Sequence, residues 1–519
     1  MGPARGSGVR EFVRGNLMAQ DLREHLVAYF EEHHKLVEAG AMQLLLSNHQ
    51  PLLLSRELVE QRPDDSPFVT REMVEAALAL RSPPRPLGTA DLRATARPQD
   101  VRVPVPFELL REGFTGPPVA SDPLAAYSAL FHSRFRSLSR FLRGRPELPN
   151  HRPIHELRPT DGTASVIGLV REVRTTQKHH HFIVTVDDET GSVEVLIPKD
   201  SPAARLTFLP DEVVGLRLQF AREAGKIPRA VAVERPEIPA TRNVGRASRP
   251  RRAIFLSDLH IGSRSFLTES WGHLVEFLHG RGPHADLAAA VDHVVVAGDL
   301  VDGIGVYPQQ ERDLAIADIV EQYAELGRRL AELPDRLTIV VIPGNHDAVC
   351  PAEPQPAIPT VLRASFPPNV HALSNPSTFA LDGVVVQAYH GRSFDDLIPA
   401  LPGTSYARPT EVMKRMLSMR HLAPIYGDRT PLAPLPRDGL VVDPAPDILV
   451  TGHAHTYGVD RYRGVLLLNA STWQAETEYQ RMRNISPVPA RAAVVDLSTL
   501  GLVTLDFSTG DPVLAEASG

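Results

Sequence analysis

The chain has 519 residues, 43% of them hydrophobic, and a formal net charge of −7. This length predicts about two to four domains, and the single cysteine, Cys350, excludes an intramolecular disulfide and a cysteine zinc site. The acidic balance argues against a protein that coats duplex DNA alone, because nucleic-acid binders usually carry a basic surface. Since no signal peptide or membrane-spanning run is evident, we expect a cytoplasmic protein without a membrane partner.

The sequence predicts four regions in the first half of the chain. Residues 1–61 are expected to form an N-terminal helical module, in which Leu26 and Phe30 belong to one apolar stripe and Met42 and Leu45 to another. The module is either a small core of its own or a docking element, and the pattern favours neither. Residues 62–120 are rich in Pro and Arg and predict a flexible linker.

A connecting helix is predicted within residues 121–155, running from Leu124 to Arg143 with a buried apolar face. The helix carries several arginines, such as Arg134. Arginines on a helix more often form a solvated face than a phosphate-binding one, so a solvated face is expected.

Residues 156–245 predict a small β-barrel of the OB-fold type. Alternating strands are expected at Ser165–Val173, His181–Asp187 and Ser192–Ile197. OB-folds often bind single strands through aromatic platforms, but few aromatics are present, which favours a packing or protein-contact role. The run from His179 to His181 falls in a hairpin loop and predicts a solvated loop rather than a metal site.

Residues 250–512 predict a phosphoesterase domain, because five short apolar runs in this region each end in a motif of metal-ligand type. Continuous β-branched runs are typical of strands that are buried on both faces. The loops at the carboxyl ends of such strands meet at one edge of an α/β sheet. The five motifs are Asp258-Leu259-His260, Gly298-Asp299, Gly344-Asn345-His346-Asp347, His390-Gly391 and Gly452-His453-Ala454-His455.

These motifs predict a site for two metal ions. A pair of cations about 3.5–4 Å apart can activate water and clamp the charge that develops on a phosphodiester. Asp299 is the predicted bridging carboxylate. The ligands of the first metal are predicted to be Asp258, His260 and His455, and those of the second to be Asn345, His390 and His453.

The donor set favours two divalent transition-metal ions, with Mn²⁺ as the first choice and Fe, Zn, Co or Ni as alternatives. His346 follows a ligand and is predicted to be catalytic, protonating the leaving oxygen or stabilising the transition state. The competing interpretation is a degenerate site kept as scaffold, which the complete ligand set disfavours.

Two further segments surround the motifs. A helix from Arg312 to Leu333 is the expected crossover between the second and third strands. Residues 400–446 interrupt the pattern, with a helix predicted from Thr410 to Leu422. This insertion is expected to shape a DNA path or to contact another subunit.

Several stretches resemble the calcineurin-like phosphoesterase superfamily and, within it, the small subunit of archaeal DNA polymerase D, a relative of eukaryotic polymerase B subunits. The resemblance covers about residues 155 to 510. It implies a calcineurin-like α/β metallophosphoesterase sandwich preceded by an OB-like barrel, with a site made of the seven ligands and His346. The stretches that carry it are Phe255–Gly262 (FLSDLHIG), Val296–Gln310, His390–Ile398 (HGRSFDDLI), Gly452–Tyr457 (GHAHTY) and Leu467–Trp473.

This resemblance implies a 3′–5′ exonuclease subunit of a replicative polymerase. Its implied partners are the large catalytic subunit, in a heterodimer, DNA 3′ ends, and a sliding clamp reached through the complex. A silent accessory subunit of the same polymerase and an independent metallophosphoesterase, such as an Mre11-like nuclease, remain as alternatives. No polymerase palm motif is evident, so we expect synthesis to belong to the partner chain.

Overall fold

A computed structural model describes most of the chain after residue 106. The described residues are 107–116, 122–158, 161–178, 180–221, 226–482, 486–510 and 512–515, together with 26–27, 30, 35–46, 55, 68–71 and 73–74. The chain divides into two compact units, Met1–Val101 and Arg102–Gly519.

In the first unit, a two-residue strand pairs in parallel with another one some thirty residues later. Strand β1 (Leu36–Val37) leads into helix α1 (Ala39–Leu46) and pairs with β2 (Phe68–Val69). The predicted boundary at residue 61 therefore cuts through a paired unit, because Val69 packs in the same small core as Met42 and Leu45. Other residues of the predicted stripes, Leu22 and Tyr29, lie outside the described residues.

The second unit contains a barrel and a two-sheet sandwich. Its strands are β3 (Phe107–Glu112), β4 (Thr163–Thr175), β5 (Phe182–Asp188), β6 (Gly191–Ile197), β7 (Val213–Gln219), β8 (Arg229–Glu234), β9 (Arg252–Leu256), β10 (Val291–Ala297), β11 (Thr338–Ile342), β12 (Val370–Ala372), β13 (Ser377–Leu381), β14 (Val384–Ala388), β15 (Ile448–Thr451), β16 (Tyr457–Tyr462), β17 (Val465–Ala470), β18 (Arg491–Asp496), β19 (Leu502–Asp506) and β20 (Val513–Ala515). Its helices are α2 (Pro123–Ser139), α3 (Thr268–Leu278), α4 (Ala285–Ala289), α5 (Ile319–Ala331), α6 (Phe394–Ala400), α7 (Pro409–Met419) and α8 (Glu478–Met482).

Two sheets pack face to face to form the sandwich. One has the strand order β12-β11-β10-β9-β18-β19-β20 and the other β16-β17-β15-β14-β13-β3. Side chains such as Phe255 and Val340 from the first sheet meet Phe379 and Val450 from the second in a fully buried core. Helices α3 and α5 cover the outer face of the first sheet, and α6 and α7 cover the second. The fold class is the predicted α/β sandwich.

The prediction of a linker over residues 62–120 is wrong for residues 107–112. Strand β3 pairs antiparallel with β13 at the edge of the second sheet. The Arg111 guanidinium fastens it by donating to the carbonyl oxygens of Val441 and Asp443 at 2.8 and 2.9 Å. The strand is stabilised by an edge that lies far away in the sequence, which local composition does not reveal.

The five strands β4 to β8 form a closed barrel with the order β4-β5-β6-β8-β7. Helix α2 packs its Phe135 and Leu138 against the barrel residues Ile167 and Val213. The OB-fold assignment and the other domain boundaries proposed from the sequence stay predictions.

The two predicted helices of the phosphoesterase domain are present with different limits. Helix α5 begins at Ile319 rather than Arg312, because the Asp318 side chain caps it by accepting from the backbone N–H groups of Val320 and Glu321. Helix α7 spans Pro409–Met419 within the insertion. Among the described residues, no helix is both long enough and apolar enough to cross a membrane.

Candidate metal centre

The predicted ligands lie in loops that follow the carboxyl ends of parallel strands. Strands β9, β10 and β11 are mutually parallel neighbours, and β14 is parallel to β15. Their ends therefore open toward the same edge of the sandwich. Five of the donors adopt the left-handed backbone conformation. This conformation is uncommon for residues with a side chain, and residues that adopt it are concentrated at functional sites. These donors are Asp258 (φ 51°), His260 (φ 49°), Asp299 (φ 48°), His453 (φ 65°) and His455 (φ 54°).

Glycines allow the loops to approach one another. A Cβ atom on Gly298 would overlap the His390 ring, and one on Gly344 would overlap the Asp299 carboxylate. A Cβ atom on Gly452 would collide with the side chains of Ser257 and Asp258. The glycines that open three of the motifs are thus required by the close packing of the donors.

The predicted ligands of the first metal form one tight group. The Nε2 atom of His455 lies 3.2 Å from Oδ1 of Asp258 and 3.2 Å from Nε2 of His260. The donor atoms of these three residues all lie within 4.8 Å of one another, and all three side chains are buried. Their spacing is suitable for a single cation.

The predicted ligands of the second metal form an adjacent group. The Nε2 atom of His390 lies 3.1 Å from Oδ1 of Asn345 and 3.3 Å from Oδ2 of Asp299. Donor atoms of Asp299, His390 and His453 also lie within 4.8 Å of one another. Because Oδ2 of Asp299 is also 3.7 Å from Nε2 of His260, this carboxylate occupies the place that a bridging ligand needs.

Hydrogen bonds orient two of the imidazoles. Nδ1 of His260 lies 3.0 Å from the Asp302 carboxylate, and Nδ1 of His390 lies 2.9 Å from the carbonyl oxygen of Ala297. Both partners only accept hydrogen bonds, so each Nδ1 carries a proton and Nε2 is the nitrogen left to bind a metal ion. Both rings therefore present the atom that a metal ion requires.

His455 has a different neighbour. As placed, the Gln480 amide nitrogen lies 2.7 Å from Nδ1 of His455. Ligation through Nε2 requires a proton on Nδ1, so a metal-bound His455 would need the opposite orientation of this amide. Gln480 is buried and was not predicted as part of the site.

His346, the predicted catalytic residue, lies at the border of the two groups. Its Nδ1 donates to the carbonyl oxygen of Asp302 at 2.7 Å, and its Nε2 is 4.0 Å from Oδ2 of Asp299. A donor atom of His346 lies within 4.8 Å of those of His260 and Asp299. Position alone therefore permits either a proton donor or a ligand, and the catalytic role stays a prediction.

Two buried acids that were not predicted as site residues hold the loops in place. Asp302 accepts from the side-chain amides of Gln310 and Gln474 in addition to His260. Asp347 accepts from the Tyr323 hydroxyl at 2.8 Å and from backbone N–H groups of the β10 and β11 loops. Their spacing from the predicted ligands is the sequence signal that could have identified them. Asp302 follows Asp299 by three residues, and Asp347 follows Asn345 by two.

Burial and charge act against each other in this centre. Burial alone would lower the pKa of His260, but hydrogen bonds to Asp258 and Asp302 and the charge of Asp299 raise it to about 10. Burial would also lower the pKa of His390, but the charge of Asp299 raises this pKa to about 9. Positive charge is thus stabilised at the place where the predicted cations would sit. Burial and the charge of Asp299 raise the pKa of Asp347 to about 7.

Buried carboxylates, imidazoles with free lone pairs and one amide oxygen together fit a pair of borderline transition-metal ions. The sandwich and the loop positions of these donors are those expected from the resemblance to calcineurin-like phosphoesterases. A solved structure of Vps29 with zinc from Entamoeba histolytica is 14% identical, covers 51% of this chain and 97% of its own, and aligns with a TM-score of 0.28.

Comparison with known sequences gives the family. The DNA polymerase II small subunit of Archaeoglobus fulgidus is 41% identical over 410 residues, covering 77% of this chain and 82% of that protein. The DNA polymerase II small subunit of Methanothermobacter thermautotrophicus is 36% identical over 494 residues, covering 93% and 99%. The family model for the B subunits of DNA polymerases alpha and epsilon matches residues 253–459. The chain belongs to the family of archaeal DNA polymerase II small subunits, which confirms the resemblance seen in the sequence.

Proposed function

We propose that this chain is a metal-dependent 3′–5′ exonuclease that removes mispaired nucleotides for a DNA polymerase. The observation that carries the proposal is the convergence of all seven predicted ligands and His346 on one buried edge of the sandwich. A subunit that had become only a scaffold would have no reason to keep every donor in place. This favours the exonuclease over the silent accessory subunit.

The chemistry follows from the charges of the site. When bound, two dications lower the pKa of a water molecule and clamp the oxygens of the scissile phosphate. Asp258 and Asp299 together supply two negative charges against four positive ones. The remaining positive charge suits a hydroxide and a phosphodiester anion. Mn²⁺ is the proposed metal, with Fe, Zn, Co and Ni as alternatives.

Three protein side chains have separate proposed roles in the reaction. Asp299 would hold both metal ions, and Asp302 keeps the His260 ring oriented. His346 places its Nε2 beside these groups. In its doubly protonated form, the ring would hand the Nε2 proton to the leaving 3′ oxygen of the shortened strand and keep the Nδ1 hydrogen bond to Asp302. The ligands do not determine polarity, so the surrounding loops must seat the terminus.

The proposed partners are a large catalytic subunit and DNA 3′ ends. The relatives are named small subunits of a DNA polymerase, and the net charge of −7 equips the chain poorly to hold DNA alone. Mispaired termini are the preferred substrate because they cost less free energy to unpair. A sliding clamp would be reached through the complex.

A nuclease assay tests the proposal. The purified chain, alone and with its large subunit, is incubated with Mn²⁺ and 5′-labelled single strands or duplexes with a mispaired 3′ end. We expect a ladder of shortened labelled strands, formed faster in the complex, and no ladder with Asp299→Ala. Immediate release of the labelled 5′ nucleotide would contradict the polarity. No cleavage by the complex would contradict the exonuclease itself.

A further inference from the structure

One predicted metal ligand has a carboxylate neighbour that is not itself a predicted ligand. Oδ1 of Asp395 lies 3.2 Å from Nε2 of His453. A carboxylate only accepts hydrogen bonds, so Nε2 carries the proton in this contact. The lone pair of His453 is then on Nδ1, and this ring would bind metal through the opposite nitrogen from His260 and His390.

Asp395 does not share the metal position with His453. Among the described residues, the groups of donor atoms within 4.8 Å of one another include His453 with Asp299 and His390, but they do not include Asp395. The Asp395 side chain is 30% exposed and that of His453 is 13% exposed. The carboxylate therefore contacts the imidazole without joining the group of donor atoms around the second metal position.

Asp395 is itself held in place by the insertion. The Tyr406 hydroxyl donates to Oδ1 of Asp395 at 2.5 Å. The Tyr406 carbonyl oxygen accepts from the Thr456 hydroxyl at 2.7 Å, one residue beyond the Gly452-to-His455 motif. Asp395 lies in the first turn of α6, directly after the His390 loop. A short chain of hydrogen bonds thus joins the insertion, the His390 loop and the His453 loop.

We propose that Asp395 is a positioning residue that fixes the His453 ring with Nδ1 facing the second metal, and that Tyr406 fixes Asp395. This inference rests on the proposed two-metal function. A carboxylate bonded to the outer nitrogen of a ligating histidine sets the ring orientation and strengthens the ligand. It also gives residues 400–446 a role in the metal centre, through Tyr406.

Metal titration of the full-length chain tests this role. Binding of Mn²⁺ is measured by calorimetry on the wild-type chain and on Asp395→Ala, Asp395→Asn and Tyr406→Phe. We expect one of two sites to weaken by about 10- to 100-fold in Asp395→Ala, with the other unchanged. Asp395→Asn retains an acceptor without the charge, so its loss is expected to be smaller, and Tyr406→Phe smaller again.

The matched control is Asp428→Asn, which removes an exposed carboxylate from the same insertion. It should bind two ions like the wild-type chain. Circular dichroism on each variant reports folding, and Tyr406→Phe tests the same chain of contacts without altering any charge.

The outcomes separate this inference from the proposed function. Two sites of wild-type affinity in both Asp395→Ala and Tyr406→Phe would overturn the positioning role while leaving the nuclease proposal intact. A wild-type chain that binds fewer than two Mn²⁺ ions, both alone and with the large subunit, would overturn both. Complete loss of one site in Asp395→Ala and in Asp395→Asn, with Tyr406→Phe unchanged, would make Asp395 a ligand and overturn the positioning role.

Discussion

Nδ1 of His260 lies 3.0 Å from Oδ1 of Asp302, a fully buried carboxylate that is outside the predicted ligand set. Asp302 also accepts hydrogen bonds from Gln310 and Gln474. Because the backbone carbonyl of Asp302 accepts from His346, one residue orients both a ligand of the first metal and the predicted catalytic ring. The loop after β10 therefore contributes two residues to the site: Asp299, the predicted bridging ligand, and Asp302, which orients His260 and His346.

Replacing Asp302 with alanine should weaken the first metal site by about 10- to 100-fold, because the His260 ring loses the acceptor that fixes its tautomer. Calorimetric titration with Mn²⁺ measures the change. Asp286→Asn, an exposed carboxylate in α4, serves as the control and should not alter binding. Unchanged affinity in Asp302→Ala would show that the His260 ring is oriented by the fold alone.

Asp299→Ala should abolish hydrolysis, because no other carboxylate lies within 4 Å of both His260 and His390 among the residue pairs described above. The variant should still fold and assemble with the large subunit, which circular dichroism and co-purification would check. Hydrolysis at the wild-type rate would remove Asp299 from the site.

The donors were predictable because each one directly follows a buried strand whose own sequence is distinctive. The run His293 to Ala297, for example, is fully buried and ends at Gly298-Asp299. The length and the hydrophobic composition of such a run are enough to predict a buried strand. A polar residue that follows the run is then expected at the carboxyl edge of the sheet. The supporting residues were harder to find, since a buried Gln480 or Gln474 carries no local pattern that separates it from a surface glutamine.

Strand β3 illustrates a second limit. Its Leu109 and Leu110 are 42% and 39% exposed, so the segment lacks the alternation that marks a half-buried strand. It forms because the β13 edge and the acceptors of Arg111 are contributed by residues more than 250 positions away. Arg134 is similar: the helix pattern favoured a solvated face, yet Asp438 holds its side chain fully buried.

Replacing His346 with alanine should slow turnover by about 10²- to 10⁴-fold, the usual range for a lost acid–base group. Two bound metals per chain should remain, because neither predicted ligand set needs this ring. Single-turnover cleavage of a saturating 5′-labelled strand measures the rate, and elemental analysis counts the metals. Loss of one cation would instead make His346 a ligand, consistent with its approach to His260 and Asp299.

The buried ion pair between Arg134 and Asp438 should stabilise the junction of α2 with the insertion. Nε of Arg134 lies 2.7 Å from Oδ2 of Asp438, and both side chains are fully buried. Asp438→Ala would leave the guanidinium buried without its carboxylate, which costs about 3–5 kcal/mol of unfolding free energy. Denaturant unfolding followed by fluorescence measures this loss. Asp443→Ala, at the exposed pair with Arg140, is the control and should cost at most about 1 kcal/mol.

The same pair predicts an acid-sensitive contribution to stability. Burial alone would raise the pKa of Asp438, but His421 and Arg134 hold this pKa well below its usual range. A carboxylate with a depressed folded-state pKa stabilises the fold above its unfolded-state pKa of about 3.9, and this stabilisation is lost as the pH falls further. The difference in unfolding free energy between the wild-type chain and Asp438→Ala should therefore be constant from pH 7 to about pH 5 and shrink below about pH 4. A difference that stays unchanged down to pH 3 would show that packing, not the ionised carboxylate, provides the stabilisation.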